Sequence, residues 1–214
     1  MEVLRINPTS PQPEMIARAA DVVRKNIPFA FPTDTVYGVG MAVTVGGSPK
    51  PLFALKGRDC DKAIPWLVAD AYALEEYGEG VPSYAFDLAR AHWPGALTLV
   101  VRASATVAPS FTAADGTLAL RAPAHAIPLA LIKTLGVPLA TTSANLQGGE
   151  PAASCASLAP QLIARLVLAI DGGPTPGILP STIVSCLEER PRLLREGALP
   201  FASLLRGTHL SHFC

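Results

Sequence analysis

Paired C-x-x-C cysteines, an excess of either charge and a long apolar run are all missing from this chain, and each absence removes a class of function. Its four cysteines, Cys60, Cys155, Cys186 and Cys214, stand alone, with no histidine at metal-ligand spacing. Free thiols in a reducing compartment are therefore expected, rather than a disulfide framework or a zinc site. Lysine plus arginine number 17 and aspartate plus glutamate also 17, so the formal net charge is zero. Broad neutralisation of nucleic-acid phosphates needs a basic excess, so any contact of that kind is local. No segment approaches the roughly 20 apolar residues of a membrane span, and no basic start leads into an apolar core. A soluble, cytoplasmic protein with no membrane partner is the expectation.

What the chain does have is apolar bulk. Hydrophobic residues make up 50% of its 214 residues and charged ones only 16%, which argues against disorder and for a well-covered sheet. The length fits one large domain, expected over 1–214. The 21 prolines are spread along the chain and mark rigid turns rather than a linker. There is neither an internal repeat nor a low-complexity tract.

Ser10, Pro11 and Glu14 resemble a helix start, and Met15, Ile16, Ala19, Ala20, Val23 and Ile27 repeat at helical spacing, predicting a helix over 13–26. Phe29–Phe31 and 36–43 read as extended segments, the second with glycines where the backbone bends or approaches a ligand. A short helix over 52–56 ends at Gly57. A strand over 64–68, a helix capped by Asp70, a second helix opened by Pro82 and a Trp93-Pro94-Gly95 turn follow. Strands are expected at 96–102, 117–121, 138–142, 166–170, 182–186 and 192–195, with helices at 127–134, closed by Gly136, and 157–165. Strands and helices interleave without regular alternation, which predicts an α/β chain of the α+β type, a mixed twisted sheet flanked by helices.

Three polar islands interrupt this pattern: 32–38 (PTDTVYG), 56–58 (KGR) and 141–145 (TTSAN). Each follows a buried segment, where loops leave the strands and ligands gather in folds of this type. Lys56 and Arg58 share a loop and can face one anion, with Lys62 in reach; a solvated basic cluster is the reading the spacing leaves open. Thr33, Thr35 and Tyr37 supply hydroxyls, and Asp34 suits a turn cap. Ser143 and Asn145 offer further polar groups beside Gly148-Gly149, or a helix cap. Arg121 ends a strand and points either into a cleft or to a surface ion pair. Ser181 and Arg195 are two more polar points next to strands. No G-x-S-x-G surrounds a serine and the histidines pair with nothing, so a serine hydrolase is disfavoured. The phosphate loop G-x-x-x-x-G-K-[ST] is absent.

Seven segments in register carry a resemblance over nearly the whole chain: PTDTVYGVG at 32–40, KGR at 56–58, HWPGALTLVV at 92–101, LALRAPAH at 118–125, PLATTSANLQGGEP at 138–151, PSTIV at 180–184 and LLREG at 193–197. Together they resemble the YrdC/Sua5 family, threonylcarbamoyl-adenylate synthases that begin formation of N6-threonylcarbamoyladenosine in tRNA. The resemblance implies that L-threonine, bicarbonate and ATP give threonylcarbamoyl-AMP and pyrophosphate. Lys56 and Arg58 would be catalytic. Arg58, Lys62, Thr117, Ser143, Asn145, Pro151 and Arg195 would bind ATP, and Thr35, Tyr37, Arg121, Thr141 and Ser181 would bind threonine. Mg²⁺ would arrive with the nucleotide, with no protein-held metal and no tightly bound cofactor. A weak contact with tRNA or other double-stranded RNA and a downstream transferase complex are the implied partners. A paralogue that binds RNA or nucleotide without synthesis is the alternative. Asp59, Ala63 and Leu67 depart from the pattern of many relatives. The end of the chain soon after Arg195 is similar to the short, single-domain members, without the extra C-terminal domain of longer ones.

Overall fold

The computed structural model describes residues 1–56, 64–146, 148–176 and 179–205. These form ten strands: β1 (Glu2–Arg5), β2 (Phe29–Phe31), β3 (Gly38–Ala42), β4 (Trp66–Leu67), β5 (Leu97–Arg102), β6 (Thr117–Arg121), β7 (Leu139–Ser143), β8 (Leu168–Asp171), β9 (Thr182–Ser185) and β10 (Arg192–Arg195). The helices are α1 (Pro13–Val23), α2 (Lys50–Lys56), α3 (Ala73–Tyr77), α4 (Ser83–His92), α5 (Ala126–Leu135), α6 (Pro160–Ile163) and α7 (Phe201–Leu204). The strands join one sheet in the order β1-β8-β2-β3-β7-β4-β6-β5-β9-β10. β8 runs parallel to both β1 and β2, β4 to β6 and β5 to β9, while the other pairs are antiparallel. The expected mixed sheet flanked by helices is the observed architecture.

Side-chain alternation along each strand divides the core in two. Phe29, Phe31, Ala42, Leu67, Leu139, Leu168 and Ile170 pack with Ile16 and Val23 of α1 and Ile127 and Leu131 of α5. Their neighbours Ala30, Met41, Trp66, Ala140 and Ala169 point the other way, into a larger cluster with Leu52 and Leu55 of α2, Leu74 of α3 and Leu88 of α4. Full burial of each such large side chain contributes about 1.5–3 kcal/mol. The α1–α5 layer stops at β4. On β5, β6 and β9 the residues Leu97, Leu99, Leu118, Leu120 and Val184 belong to the larger cluster. Their alternates Thr98, Arg121 and Ile183 instead line a cavity on the face the two helices leave uncovered.

Most elements lie within a residue or two of their expected places, and the exceptions have local causes. α1 begins at Pro13, with Gln12 rather than Ser10 at its cap position; the Ser10 N–H is held by Asn7 Oδ1. It ends at Val23, three residues early, because Asn26 takes a left-handed conformation with φ of 59°. The helix expected over 157–165 shrinks to α6, since Ser154 and Ser157 cap each other around a short 3-10 turn and Pro160 starts a new helix where its missing N–H costs nothing. β1 and α7 were not expected. Gly136 closes α5 in the left-handed region, φ 70°, as its position predicted.

The start of α5 carries a pH-sensitive cap. His125 Nδ1 accepts from the Ile127 N–H at 3.3 Å, which requires a neutral ring protonated on Nε2. Burial lowers the His125 pKa from 6.5, against a smaller opposing pull from the charge of Asp34. The unfolded chain therefore takes up this proton first as pH falls. The cap's contribution is complete above about 6.5 and declines as pH drops from there to the depressed folded value. Replacing His125 by Asn, which caps without titrating, is expected to flatten the fall of the thermal midpoint between pH 7.5 and pH 5.5. Parallel melts of the two proteins check this, and identical slopes would refute it.

Candidate active site

The uncovered face of the sheet encloses a cavity of about 260 Å³, with walls that include Thr35, Leu67, Thr98, Arg121, Ser143 and Arg195. Its floor is cleared by glycines. Gly38 and Gly40 of β3 pair with Ser143 and Thr141 of β7. A Cβ on Gly40 would come within 2.8 Å of Ala140 O and 2.9 Å of the Phe31 ring, and one on Gly38 within 3.0 Å of Thr141 Oγ1. These glycines thus make room for neighbouring side chains, which adds to the bend-or-ligand expectation a packing cause.

Arg121, at the end of β6, is buried at 6% exposure. Its Nε donates to Gly95 O at 2.9 Å, Nη1 to Thr35 Oγ1 at 3.1 Å and Nη2 to Asp34 Oδ1 at 2.7 Å. The turn after α4 therefore serves the site by aiming the Gly95 carbonyl at the guanidinium. Burial lowers the Arg121 pKa and the Asp34 carboxylate opposes that shift. A guanidinium has five N–H donors, so two remain for a ligand. Asp34, expected as a turn cap, is instead the counter-ion of the cavity's inner cation.

Hydrogen-bond direction is fixed around the hydroxyls. Thr33 Oγ1 must donate to Val36 O, at 2.7 Å, because a carbonyl only accepts. Thr35, 3.0 Å from Thr33 Oγ1, then donates to it and accepts from Arg121. The Thr141 hydroxyl donates to Val39 O at 3.3 Å, and that of Ser143 to Asn145 Oδ1 at 2.5 Å. Thr35, Thr141 and Ser143 have thus given their hydroxyl protons to protein acceptors, so toward the cavity they offer lone pairs.

The opposite wall supplies donors. Arg195, at the end of β10, donates from Nη2 to Ser181 O at 2.7 Å, and Ser181 Oγ lies 2.7 Å from Thr98 Oγ1. Burial, then the nearby charge of Arg121, lowers the Arg195 pKa. Two guanidiniums thus share a cavity whose near carboxylate is that of Asp34, leaving an excess of one positive charge in those three groups.

The other expected residues occupy varied places. Lys56, buried at the end of α2, donates from Nζ to Ser143 O at 2.8 Å, Asn145 O at 2.6 Å and Asn145 Oδ1 at 2.7 Å. Asn145 Nδ2 donates to Leu146 O and Gly149 O. Together these bonds knot the loop after β7. The Tyr37 phenol donates to Gly173 O at 2.7 Å, and burial chiefly pushes its pKa to about 12. Pro151 sits beside Ala152, whose backbone bonds Tyr37 N and Ala144 O. Thr117 stands at the far end of β6 from Arg121, roughly 13 Å along the strand, with its hydroxyl on Asp115 Oδ1 at 2.6 Å; it is not brought to the cavity. Arg58 and Lys62, with Asp59 and Ala63, lie outside the described residues, and Leu67 forms part of the cavity wall. Sequence reasoning missed Asp34 as a counter-ion and Thr98. The latter did leave a signal, a lone hydroxyl in the apolar run Leu97–Val101.

A second hollow of about 290 Å³ lies between α3 and the end of α5, walled partly by Asp70, Glu76 and Lys133. It holds none of the expected site residues. Among the described residues, no three His, Cys, Asp or Glu side chains group as metal ligands, and no helix is long and apolar enough to cross a membrane.

The threonylcarbamoyl-AMP synthase of Bacillus subtilis is 38% identical over 185 residues, 86% of this chain and 54% of that protein. The chain thus spans about half the length of this curated relative. The structure of Pyrococcus abyssi Sua5 complexed with L-threonine superimposes with a TM-score of 0.89 at 34% identity, covering 96% of this chain and 60% of that one. Escherichia coli YciO superimposes with a TM-score of 0.81 at 25% identity, covering 93% of this chain and 97% of that one. The Sua5/YciO/YrdC profile, described as telomere recombination, matches residues 21–197, from within α1 to just past β10. The match therefore takes in every strand that walls the cavity, and the chain belongs to the Sua5/YciO/YrdC family.

Proposed function

We propose that this protein is a threonylcarbamoyl-AMP synthase, forming the mixed anhydride and pyrophosphate from L-threonine, bicarbonate and ATP. The observation that carries this reading is the polarity of the cavity, where hydroxyl lone pairs lie beside the Arg121 guanidinium and a second guanidinium, that of Arg195, stands on the opposite wall. A small zwitterion fits that arrangement, with its amine or hydroxyl toward Thr35 and its carboxylate toward the two donors left on Arg121. The relation to a protein solved with L-threonine supports the choice of amino acid.

In the proposed reaction, the threonine amine takes up carbon dioxide from bicarbonate as a carbamate. A carbamate oxygen attacks the α-phosphorus, the bond to the β-phosphate oxygen breaks, and pyrophosphate leaves with the electron pair. No protein nucleophile takes part. The protein would hold the reactants in line and offset the developing charge, with Mg²⁺ travelling as part of the nucleotide substrate. In this reading Arg195 meets a bound phosphate, and Arg58 and Lys62 are assigned to the phosphates by the family resemblance alone. Lys56 and Asn145 would shape the Ser143 loop on the same side. The cavity falls below the roughly 300–1,000 Å³ of pockets for drug-sized ligands. Its described walls would enclose the amino acid and the reacting phosphate, with the rest of the nucleotide beyond them.

The deciding assay follows pyrophosphate and an adenylate from purified protein with labelled L-threonine, bicarbonate and Mg-ATP. Threonine-dependent release is expected, and nucleotide binding without it would favour a non-synthetic paralogue. In that assay Lys56→Ala or Arg58→Ala is expected to lower turnover about a hundredfold or more, and unchanged rates would remove both from the reaction. Arg121→Ala is expected mainly to raise the threonine KM, because a carboxylate anchor serves ground and transition states alike. A raised ATP KM with a normal threonine KM would contradict that role.

A further inference from the structure

Thr182 is fully buried on β9, and its hydroxyl is where the segment after β10 is fastened. The hydroxyl donates to Leu199 O and accepts from Gly197 N at 2.9 Å and Leu199 N at 3.2 Å. One proton and both lone pairs of a single side chain are thus spent on two residues of one segment. Ala198 N adds a bond to Pro180 O at 2.9 Å. Gly197 lies so close to the Pro180–Ser181 backbone that a Cβ would overlap the Pro180 carbonyl. The segment 196–199 is therefore a strap drawn over the start of β9. The strap begins directly after Arg195, beyond a register shift between Leu193 and Arg195, and Arg195 reaches back to Ser181 O.

We infer that Thr182 is a positioning residue, the clasp that keeps the Arg195 guanidinium in the cavity. A hydroxyl needed only to fill the core would be replaceable by a methyl. Here its loss leaves two backbone N–H groups and one carbonyl without their partner, all on the piece of chain that carries Arg195. The identity of the anion that Arg195 meets, the phosphates of ATP, rests on the proposed function.

The test is calorimetric binding of Mg-ATP and of L-threonine, separately, to the wild-type chain, Thr182→Ser, Thr182→Val, Gly197→Ala, Arg195→Ala and the Thr182→Val/Arg195→Ala double variant. Thr182→Val and Arg195→Ala are each expected to weaken Mg-ATP about tenfold, as for loss of one charge-assisted contact, with L-threonine unchanged within about twofold. Thr182→Ser, which keeps the hydroxyl, should bind like wild type. The double variant should be no weaker than Arg195→Ala alone, because the clasp acts through that arginine. Gly197→Ala lifts the strap without touching the hydroxyl, so the same split should appear there even if Thr182→Val does not fold. Additive losses in the double variant, equal losses for both ligands, or no effect of Arg195→Ala would overturn the inference. A wild-type chain that binds neither ligand would sink the functional reading and this inference with it, a result visible before any variant is compared.

Discussion

The ion pair between Arg121 and Asp34 is the constraint on which the site depends. A guanidinium with 8% of its side chain exposed, beside a carboxylate with 14%, is costly to desolvate and persists only where further donors are matched as well. The protein supplies those matches from two separate loops, Asp34 and Thr35 after β2 and Gly95 after α4, while β6 carries the arginine itself. Removing the carboxylate would leave a buried charge without compensation, an effect of about 3–5 kcal/mol for such pairs. The pair is thus stable only when two loops and the end of β6 are in register, and that register also shapes the cavity.

The second cation is held differently. Arg195 belongs to an edge strand whose side chains are mostly exposed, and an edge strand alone is a poor platform for a fixed charge. Its fixity comes from across the sheet, through Ser181 O and the strap that Thr182 secures. On the remaining side, α2 delivers Lys56 to the loop after β7, and Arg165 Nη1 donates to Ala54 O at 3.0 Å near the end of that helix. A cation near the last carbonyls of a helix is favourable in its own right. Each of these cations is therefore held by an element other than its own.

Local chemistry made much of this legible before any coordinates. β6 and β10 lie at their expected residues because apolar runs closed by arginine have few other readings, and α5 ends at Gly136 for the conformational reason its sequence carries. The islands at 32–38 and 141–145 do converge, since β3 and β7 are paired neighbours. β1 escaped notice because four residues with one buried side chain have no periodicity to show, and their partner β8 is more than 160 residues away. Asp34 escaped for a related reason. A short acidic side chain between two threonines has the local signature of a turn, and only the fold brings Arg121 to it.

The direction of the hydrogen bonds carries information that residue types do not. Threonine and serine donate or accept with equal ease, so hydroxyls in a sequence specify no ligand polarity. Here Val36 O fixes the Thr33 proton, Thr33 then takes that of Thr35, and Asn145 takes that of Ser143. The hydroxyls of Thr35 and Ser143 therefore only accept, and the two guanidiniums only donate. Between them Val36, Pro65, Leu67 and Ile183 add apolar surface, suited to a methyl group rather than to a further charge. A ligand that lacks an N–H or O–H toward Thr35 would leave the one lone pair that Arg121 does not use without a partner away from water, a cost added to the missing attraction. The cavity thus selects by the penalty it imposes on mismatched ligands, and that penalty originates in Thr33 and Asn145, which hold the protons in place.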